Sequence, residues 1–262
     1  MKYNIYQVDA FTNQVFNGNP ACVIPLKKWI SDNILLKIAQ ENAVSETAFF
    51  IDNGDDIHLR WFTPDQEIDL CGHATLATAH VLKSILKYHL NEINFNTMSG
   101  KLKVTCKDNF YYLDFPSRKP QPALLPTEIE LSLNMQPKEV FKSRDYMLVY
   151  DTQKEIEEIK INRSYFDQIN LGHGGVIVTA KGSTSDFVSR YFTPQATILE
   201  DSVTGSAHCT LIPFWSSRLC KKELEALQIS KRGGKLLCRD MLDRVIIGGE
   251  AKIYSKGEFT LR

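Results

Sequence analysis

Short runs rich in β-branched and aromatic residues recur along the chain and predict strands. They lie at 5–11, 21–25, 47–51, 58–62, 147–150, 176–179, 186–192, 244–247 and 259–261. The segment 31–42 predicts an amphipathic helix instead, because Leu35, Ile38 and Ala39 fall on one helical face. Ser31 is placed to cap the N-terminus of this helix. Strands therefore dominate the predicted structure.

Two separated segments repeat one pattern: a strand, a proline-marked loop and a glycine that opens an apolar helix. The strand and loop read Arg-Trp-Phe-Thr-Pro at 60–64 and Arg-Tyr-Phe-Thr-Pro at 190–194, and the glycines are Gly72 and Gly205. Both helices carry apolar residues around most of their circumference, which is typical of a helix buried on all sides. Pro213 lies inside the second helix and is expected to kink or shorten it.

The repeat predicts an α+β fold of two pseudo-symmetric halves. Each half is expected to wrap a curved, barrel-like sheet around its central buried helix, with the active site in the cleft between the halves. The polar, proline-rich segment 115–122 is the best linker. The predicted domains are therefore 1–116 and 117–262, and the last strand is allowed to return to the first half. Facing helix N-termini would bind a small anion through unpaired N–H groups and the helix dipole.

Composition narrows the class of protein. The 262 residues include 31 Lys and Arg against 31 Asp and Glu, so the formal net charge is zero. No basic run with interleaved aromatic residues is present, so no nucleic-acid partner is expected. The N-terminus resembles a strand rather than a signal peptide, and no apolar stretch is long enough to span a membrane, so a cytoplasmic location is predicted. The six cysteines and six histidines lack metal-ligand spacing, so no metal is expected and free thiols are predicted.

Two candidate groups for proton transfer lie in the first half. Glu46 enters an apolar strand, where a carboxylate is either a strand-end residue facing water or a general acid/base. Cys71 stands directly before Gly72, where a thiol at a helix N-terminus has a lowered pKa and is reactive, or is a buried residue that packs like a small apolar one. The second half offers no cysteine at the matching position, which disfavours racemisation by two thiols.

The second half offers candidates for substrate binding. Asp201 precedes the helix that begins near Gly205, and is either an N-cap or first-turn acid or a hydrogen-bonding partner of the substrate. Ser206, together with the N–H groups around Gly205, is suited to hold a carboxylate or a developing enolate.

Several blocks along the chain resemble the PhzF-like family, the phenazine biosynthesis-like isomerases related to diaminopimelate epimerase. The blocks read Tyr-Gln-Val-Asp-Ala-Phe at 6–11, Gly-Asn-Pro-Ala at 18–21, Ser-Glu-Thr-Ala-Phe at 45–49, Cys-Gly-His-Ala-Thr at 71–75 and Thr-Gly-Ser-Ala-His at 204–208. They occur in the family's order, and the resemblance extends to residue 234. Ser202 departs from the pattern, because the family's second motif usually has proline there.

This resemblance implies a diaminopimelate-epimerase-like fold, no cofactor and commonly a homodimer. It implies that Glu46 is the acid/base that moves a proton between carbons of a small carboxylated metabolite. His73, Asp201 and Ser206 would orient this substrate, and Gly72 and Gly205 would supply backbone N–H donors. Two alternatives remain open: an epimerase of amino or hydroxy acids that uses Cys71, and a non-catalytic protein that binds a metabolite or another protein.

Overall fold

The computed structural model describes residues 1–54 and 56–261, which contain eighteen strands and six helices. In chain order the elements are β1 (Lys2–Ala10), β2 (Asn19–Pro25), α1 (Asp32–Asn42), β3 (Glu46–Asp52), β4 (Ile57–Phe62), β5 (Glu67–Ile68), α2 (Gly72–Ser84), β6 (Glu92–Thr97), β7 (Gly100–Lys107), β8 (Phe110–Pro116), β9 (Gln121–Pro122), α3 (Thr127–Ser132), β10 (Glu139–Lys142), β11 (Tyr146–Val149), α4 (Gln153–Glu158), α5 (Arg163–Phe166), β12 (Val176–Lys181), β13 (Phe187–Phe192), β14 (Glu200–Asp201), α6 (Gly205–Leu219), β15 (Glu223–Gln228), β16 (Gly234–Asp240), β17 (Arg244–Gly249) and β18 (Ala251–Thr260). None of the helices in these residues is long and apolar enough to cross a bilayer.

The chain forms two compact units. Unit 1 contains residues 1–115 and the residues from Ile246 onward, and unit 2 contains residues 116–245. The last strand belongs to unit 1 because β18 pairs antiparallel with β1 along its length. The fold is mixed α/β and dominated by sheet, as the strand patterns predict, and the sheet is not closed into a barrel.

Within unit 1, α2 is the central helix. It packs against β1, β2, β3 and β18, and all of its residues from Gly72 to Leu82 except His80 are buried. The sheet approaches this helix closely at Gly249, where an added Cβ would lie 2.4 Å from the Phe11 ring and 3.3 Å from the Leu76 side chain. A helix that is apolar on all sides is thus covered on all sides.

Within unit 2, α6 has the same relation to its own strands. It packs against β15 and β16, and its residues from Gly205 to Pro213 are all buried. Of the two effects expected of Pro213, a kink or a shortening, the structure excludes the shortening, because the helix continues through Pro213 to Leu219. A separate apolar core forms where Ile129, Ile156 and Phe166 of the short helices α3, α4 and α5 meet β12 and β13.

The strand pairing of one unit repeats in the other. In unit 1, β3 and β4 are antiparallel, β4 continues into the β5 hairpin, and α2 leads to β6, which lies parallel to β4. Unit 2 repeats this order of elements with β12, β13, β14, α6 and β15, and its strands pair in the same relative directions. A parallel pair needs a crossover connection, and the central helix supplies it in both units.

The structure corrects two details of the predicted elements. Ser31 is the N-cap residue of α1, but its side chain makes no capping hydrogen bond within the described chain. The segment 115–122, predicted as a linker, contains the end of β8 and all of β9. Strands β6 and β7, for which no prediction was made, carry lysines and asparagines on their exposed face and keep only every second residue buried.

Candidate functional site

In unit 1, the candidate residues converge on the first turn of α2. Glu46 is the first residue of β3, and this strand lies parallel to β2 so that Glu46 is in register with Ala21. Cys71 is the extended N-cap residue of α2, and His73 is the second residue of the helix. The chain thus brings a carboxylate, a thiol and an imidazole to one helix end.

The shortest contact of this cluster joins Glu46 and His73. The Oε2 atom of Glu46 lies 2.8 Å from Nε2 of His73, with 13% and 2% of the two side chains exposed. These two atoms form an ion pair when the imidazole is protonated. On the other side of the ring, Nδ2 of the buried Asn19 lies 3.0 Å from Nδ1 of His73. The imidazole is therefore held from both sides.

The surroundings of His73 favour its charged form. Burial opposes protonation, but the negative charge of the Glu46 carboxylate beside the ring favours it, and the pKa of the imidazole is raised well above its usual 6.5. A carboxylate paired with an imidazolium can accept or return a proton without moving far.

Cys71 does not have the lowered pKa that its place before a helix suggests. Its sulfur lies 3.6 Å from Nδ1 of His73, and burial raises the pKa of the thiol to about 11. Loss of hydration outweighs the helix dipole here, and of the two readings of Cys71 this favours a protonated, buried thiol that packs like a small apolar residue.

Glu46, Cys71 and His73 also place one potential metal ligand each within 4.8 Å of the others. The carboxylate approaches Nε2 of the imidazole and the thiol approaches Nδ1. The lone pairs of these two nitrogens point away from each other. The carboxylate and the thiol therefore lie on different sides of the imidazole ring, and the three ligand atoms do not face one common point for a metal ion.

In unit 2, the candidate residues surround the first turn of α6. Thr204 is the N-cap residue, Gly205 begins the helix, and the side chain of Ser206 is almost fully buried. Asp201 belongs to β14, and its Oδ2 accepts a hydrogen bond of 2.6 Å from the Thr204 hydroxyl. Asp201 is therefore not the N-cap that one reading of the sequence expected.

Gln228 ties this loop to the adjacent strand and was not identified from the sequence. Its Oε1 accepts from the backbone N–H of Thr204 at 2.8 Å, and its Nε2 donates to the carbonyl of Asp201 at 2.8 Å. A buried glutamine at the end of an apolar strand is the only signal that the sequence offers for this role.

Arg144 also contacts the helix start and was not identified from the sequence. Its Nη2 donates a hydrogen bond of 2.9 Å to Oγ of Ser206. The first turn of α6 thus combines the positive end of a helix, a hydroxyl and a guanidinium, which are all groups that bind carboxylates.

The structure brings the predicted residues together in two sets. One set, in unit 1, consists of Glu46, Cys71, Gly72 and His73, and the other, in unit 2, consists of Asp201, Gly205 and Ser206. Neither N-cap side chain hydrogen-bonds the first turn of its own helix among the described residues.

Comparison with known proteins identifies the family of this chain. The family model of phenazine biosynthesis-like proteins matches residues 8–257. The chain belongs to the phenazine biosynthesis-like, or PhzF-like, family. It is 43% identical over 261 residues to an uncharacterized isomerase of Pseudomonas aeruginosa, with 100% of both chains covered.

Solved structures place the PhzF-like chain in the epimerase fold. A PhzF family protein of Enterococcus faecalis superposes with a TM-score of 0.94 at 47% identity, covering 100% of both chains. A hydroxyproline epimerase of Agrobacterium vitis superposes with a TM-score of 0.63 at 11% identity over 98% of this chain and 92% of the other, which shows the fold alone. The relative named an isomerase supports an isomerase activity for this family member.

Proposed function

We propose that this PhzF-like protein is a cofactor-independent isomerase that moves a proton between carbons of a small carboxylated metabolite. Glu46 is the acid/base of this reaction. The observation that carries the proposal is the 2.8 Å pair of Glu46 and His73 at the start of α2. A carboxylate with one oxygen held at a cationic ring is oriented for proton transfer.

The start of α6 supports the carboxylated class of substrate. Ser206 lies in its first turn with the guanidinium of Arg144 beside it, and Asp201 contacts the N-cap residue. Donors of this kind stabilise a carboxylate or a developing enolate, and one such donor contributes about 2.7–4 kcal/mol where it is aimed at the developing charge. We assign Gly72 and Gly205 the role of backbone donors at the two helix ends.

The alternative of an epimerase that uses Cys71 as its base gains no support from the surroundings of this residue. A thiol with a pKa of about 11 is almost entirely protonated at neutral pH and is a poor base. The relatives named isomerases favour catalysis over a binding protein without activity.

Deuterium exchange followed by NMR tests the proposal. Wild type, Glu46→Gln and Glu92→Gln are incubated in heavy water with a panel of small cyclic and linear amino, hydroxy and enoic acids. Glu92 is a matched control because it is an exposed carboxylate of the same unit, paired with Lys103. We expect wild type and Glu92→Gln to exchange a carbon-bound hydrogen, and Glu46→Gln to lose at least about 100-fold in rate.

Two results would contradict this mechanism. Equal exchange by wild type and Glu46→Gln would show that another group is the base. Binding of an acid without exchange at any of its carbons, measured by thermal shift and NMR on the same sample, would favour a metabolite-binding protein.

We also propose that the protein acts in the cytoplasm and that it is a homodimer, the second of which its family resemblance implies. Light scattering coupled to gel filtration tests the oligomeric state, since a mass of one chain would contradict it.

A further inference from the structure

A buried carboxylate organises the segment that precedes β11. Asp145 is fully buried, and its Oδ1 accepts hydrogen bonds from the backbone N–H of Gly175 at 2.9 Å and from the Tyr191 hydroxyl at 3.0 Å. The same oxygen lies 3.4 Å from Nε of Arg144. Three donors from different parts of unit 2 therefore meet at one atom.

Close packing fixes this arrangement. A Cβ added at Gly175 would lie 2.6 Å from both Cζ and the hydroxyl oxygen of Tyr191, so only glycine lets the phenol reach Asp145. Burial and the neighbouring Asp145 carboxylate raise the pKa of Tyr191 well above its usual value, which keeps its hydroxyl protonated as a donor. Asp145 thus stands as a rigid acceptor beside Arg144.

The neighbouring residues connect this acceptor to α6 at two successive turns. Nη2 of Arg144 donates to Oγ of Ser206 at 2.9 Å, and Oγ of Ser143 lies 2.9 Å from Oγ1 of Thr210, one turn further along the helix. Nε of the guanidinium lies beside Asp145, and Nη2 of the same group reaches Ser206. The planar fork of arginine suits this double contact, and a lysine ammonium cannot reproduce it.

The direction of the Arg144 contact decides what Ser206 can do. A guanidinium only donates, so the Ser206 oxygen accepts and directs its own hydrogen toward a different partner. Arg144 also brings a positive charge to the positive end of a helix, where an anion is favoured and a cation is not. Both features suit a bound carboxylate.

We propose that Arg144 is a positioning residue that holds the Ser206 hydroxyl as a donor to the substrate carboxylate. This inference rests on the proposed function, because it takes the ligand of Ser206 to be the carboxylate of the isomerase substrate. Arg144 acts through Ser206, and Asp145 and Tyr191 act through Arg144.

A double-mutant cycle tests this chain of contacts. The affinity of the acid that wild type exchanges is measured by calorimetry for Arg144→Met, Arg144→Lys, Ser206→Ala and the double variant Arg144→Met/Ser206→Ala. We expect Arg144→Met to weaken binding by about 10- to 100-fold, since the lost hydrogen bond is charge-assisted. Arg144→Lys should be nearly as weak, and the double variant no weaker than Ser206→Ala alone.

Two further variants separate positioning from general damage. Arg218→Met removes an arginine that pairs with Glu139 and lies over Phe214 at the other end of α6, and it should leave affinity unchanged. Tyr191→Phe removes one hydroxyl and should weaken binding in the same direction by a smaller factor. Circular dichroism and thermal unfolding establish that each variant is folded.

The outcomes distinguish this inference from the proposed function. Additive losses in the double variant, or wild-type affinity in Arg144→Lys, would overturn the positioning role while leaving the isomerase proposal intact. If no acid of the panel binds wild type, the proposed function fails, and ¹⁵N NMR of the arginine side chains decides the contact without a ligand. Restricted rotation of the Arg144 guanidinium that is released in Ser206→Ala supports the inference, and equal mobility in both proteins overturns it.

Discussion

The two central helices begin on the same scaffold. Each follows a short hairpin whose first strand ends in an arginine, an aromatic residue and a phenylalanine. In each hairpin the arginine pairs through two nitrogens with a glutamate on the opposite strand and lies over the ring of the phenylalanine. In unit 1, Arg60 pairs with Glu67 and lies over Phe62. In unit 2, Arg190 pairs with Glu200 and lies over Phe192. The backbone architecture of the repeat is therefore kept in detail.

The chemistry at the two helix starts is opposite. His73 is the second residue of α2 and pairs with the carboxylate of Glu46, whereas Ser206 is the second residue of α6 and accepts from the guanidinium of Arg144. We propose that the first helix start serves proton transfer and that the second binds an anion. Two copies of one scaffold can thus take different roles through two changes. The residue after the helix-opening glycine differs, and the charged side chain that contacts it is a carboxylate in one unit and a guanidinium in the other.

The largest effects should come from breaking this division of labour directly. Glu46→Gln removes the base and should lower the turnover number by about 10²- to 10⁴-fold. Ser206→Ala removes a binding donor and should chiefly raise KM, by about tenfold. Steady-state kinetics on the acid found by deuterium exchange measure both constants.

A common pattern of change would contradict the comparison. If both variants lowered the turnover number by the same factor with KM unchanged, the two helix starts would contribute to one step in the same way. Glu92→Gln serves as the control for a carboxylate outside the cluster.

The shared hairpin scaffold should differ in what it contributes to stability. Nη1 of Arg190 also donates to the carbonyls of Ile156 and Ile159 at 3.1 and 2.9 Å, whereas the extra partner of Arg60 is the exposed carboxylate of Asp32. Either removal leaves a partly buried glutamate without its donor, and removing Arg190 also leaves two carbonyls without theirs. Arg190→Met should therefore cost about 3 kcal/mol and Arg60→Met about 1 kcal/mol in the free energy of unfolding.

Urea denaturation followed by tryptophan fluorescence measures both variants. Equal costs would mean that the carbonyl contacts of Arg190 contribute nothing, and the comparison would then rest on the paired glutamates alone.

Much of this architecture could be predicted from the sequence because the same pattern occurs at two places in the chain. The glycine, the threonine-proline loop and the apolar helix recur, and a helix that is apolar on all sides requires strands around it. Strands β6 and β7 escaped prediction because their alternation places charged residues such as Lys101 and Lys103 on the open face, so few apolar residues mark them. The short helices α3, α4 and α5 of unit 2 also escaped prediction, because few apolar residues mark them.

The candidate site could be predicted only where residues lie next to the repeat. Glu46 and His73 stand in motifs that resemble a known family, so the sequence indicated both. Asn19, Arg144 and Gln228 reach their partners across 54, 62 and 24 positions of sequence. Contacts over such separations are set by strand register and packing, which no local pattern reveals.

The pH dependence of stability should have opposite signs at the two helix starts. Burial lowers the pKa of His208 in α6 from 6.5 to about 4, so its neutral form stabilises the fold fully above pH 6.5 and this contribution is lost as the pH falls toward 4. The pKa of His73 in α2 is raised, so its contribution is complete below pH 6.5 and is lost as the pH rises through the raised value.

Unfolding free energies from pH 4 to 9 for wild type, His208→Gln and His73→Gln measure these contributions. His208→Gln should remove at most about 3 kcal/mol of the loss between pH 6.5 and 4. His73→Gln should instead flatten the curve on the alkaline side. The same slope in both variants would contradict the contrast between the two environments.

The smallest effect on exchange should come from replacing the N-cap residue of α2. This residue is Cys71, and the corresponding residue before α6 is Thr204. Because burial keeps the Cys71 thiol protonated, Cys71→Ala should change the rate of deuterium exchange by less than about threefold. Iodoacetamide at pH 7.5 should modify the exposed Cys220 well before Cys71, as mass spectrometry of the digested protein would show. A loss of exchange in Cys71→Ala that matched the loss in Glu46→Gln would make the thiol a second base, and unit 1 would then carry two-base epimerase chemistry on its own.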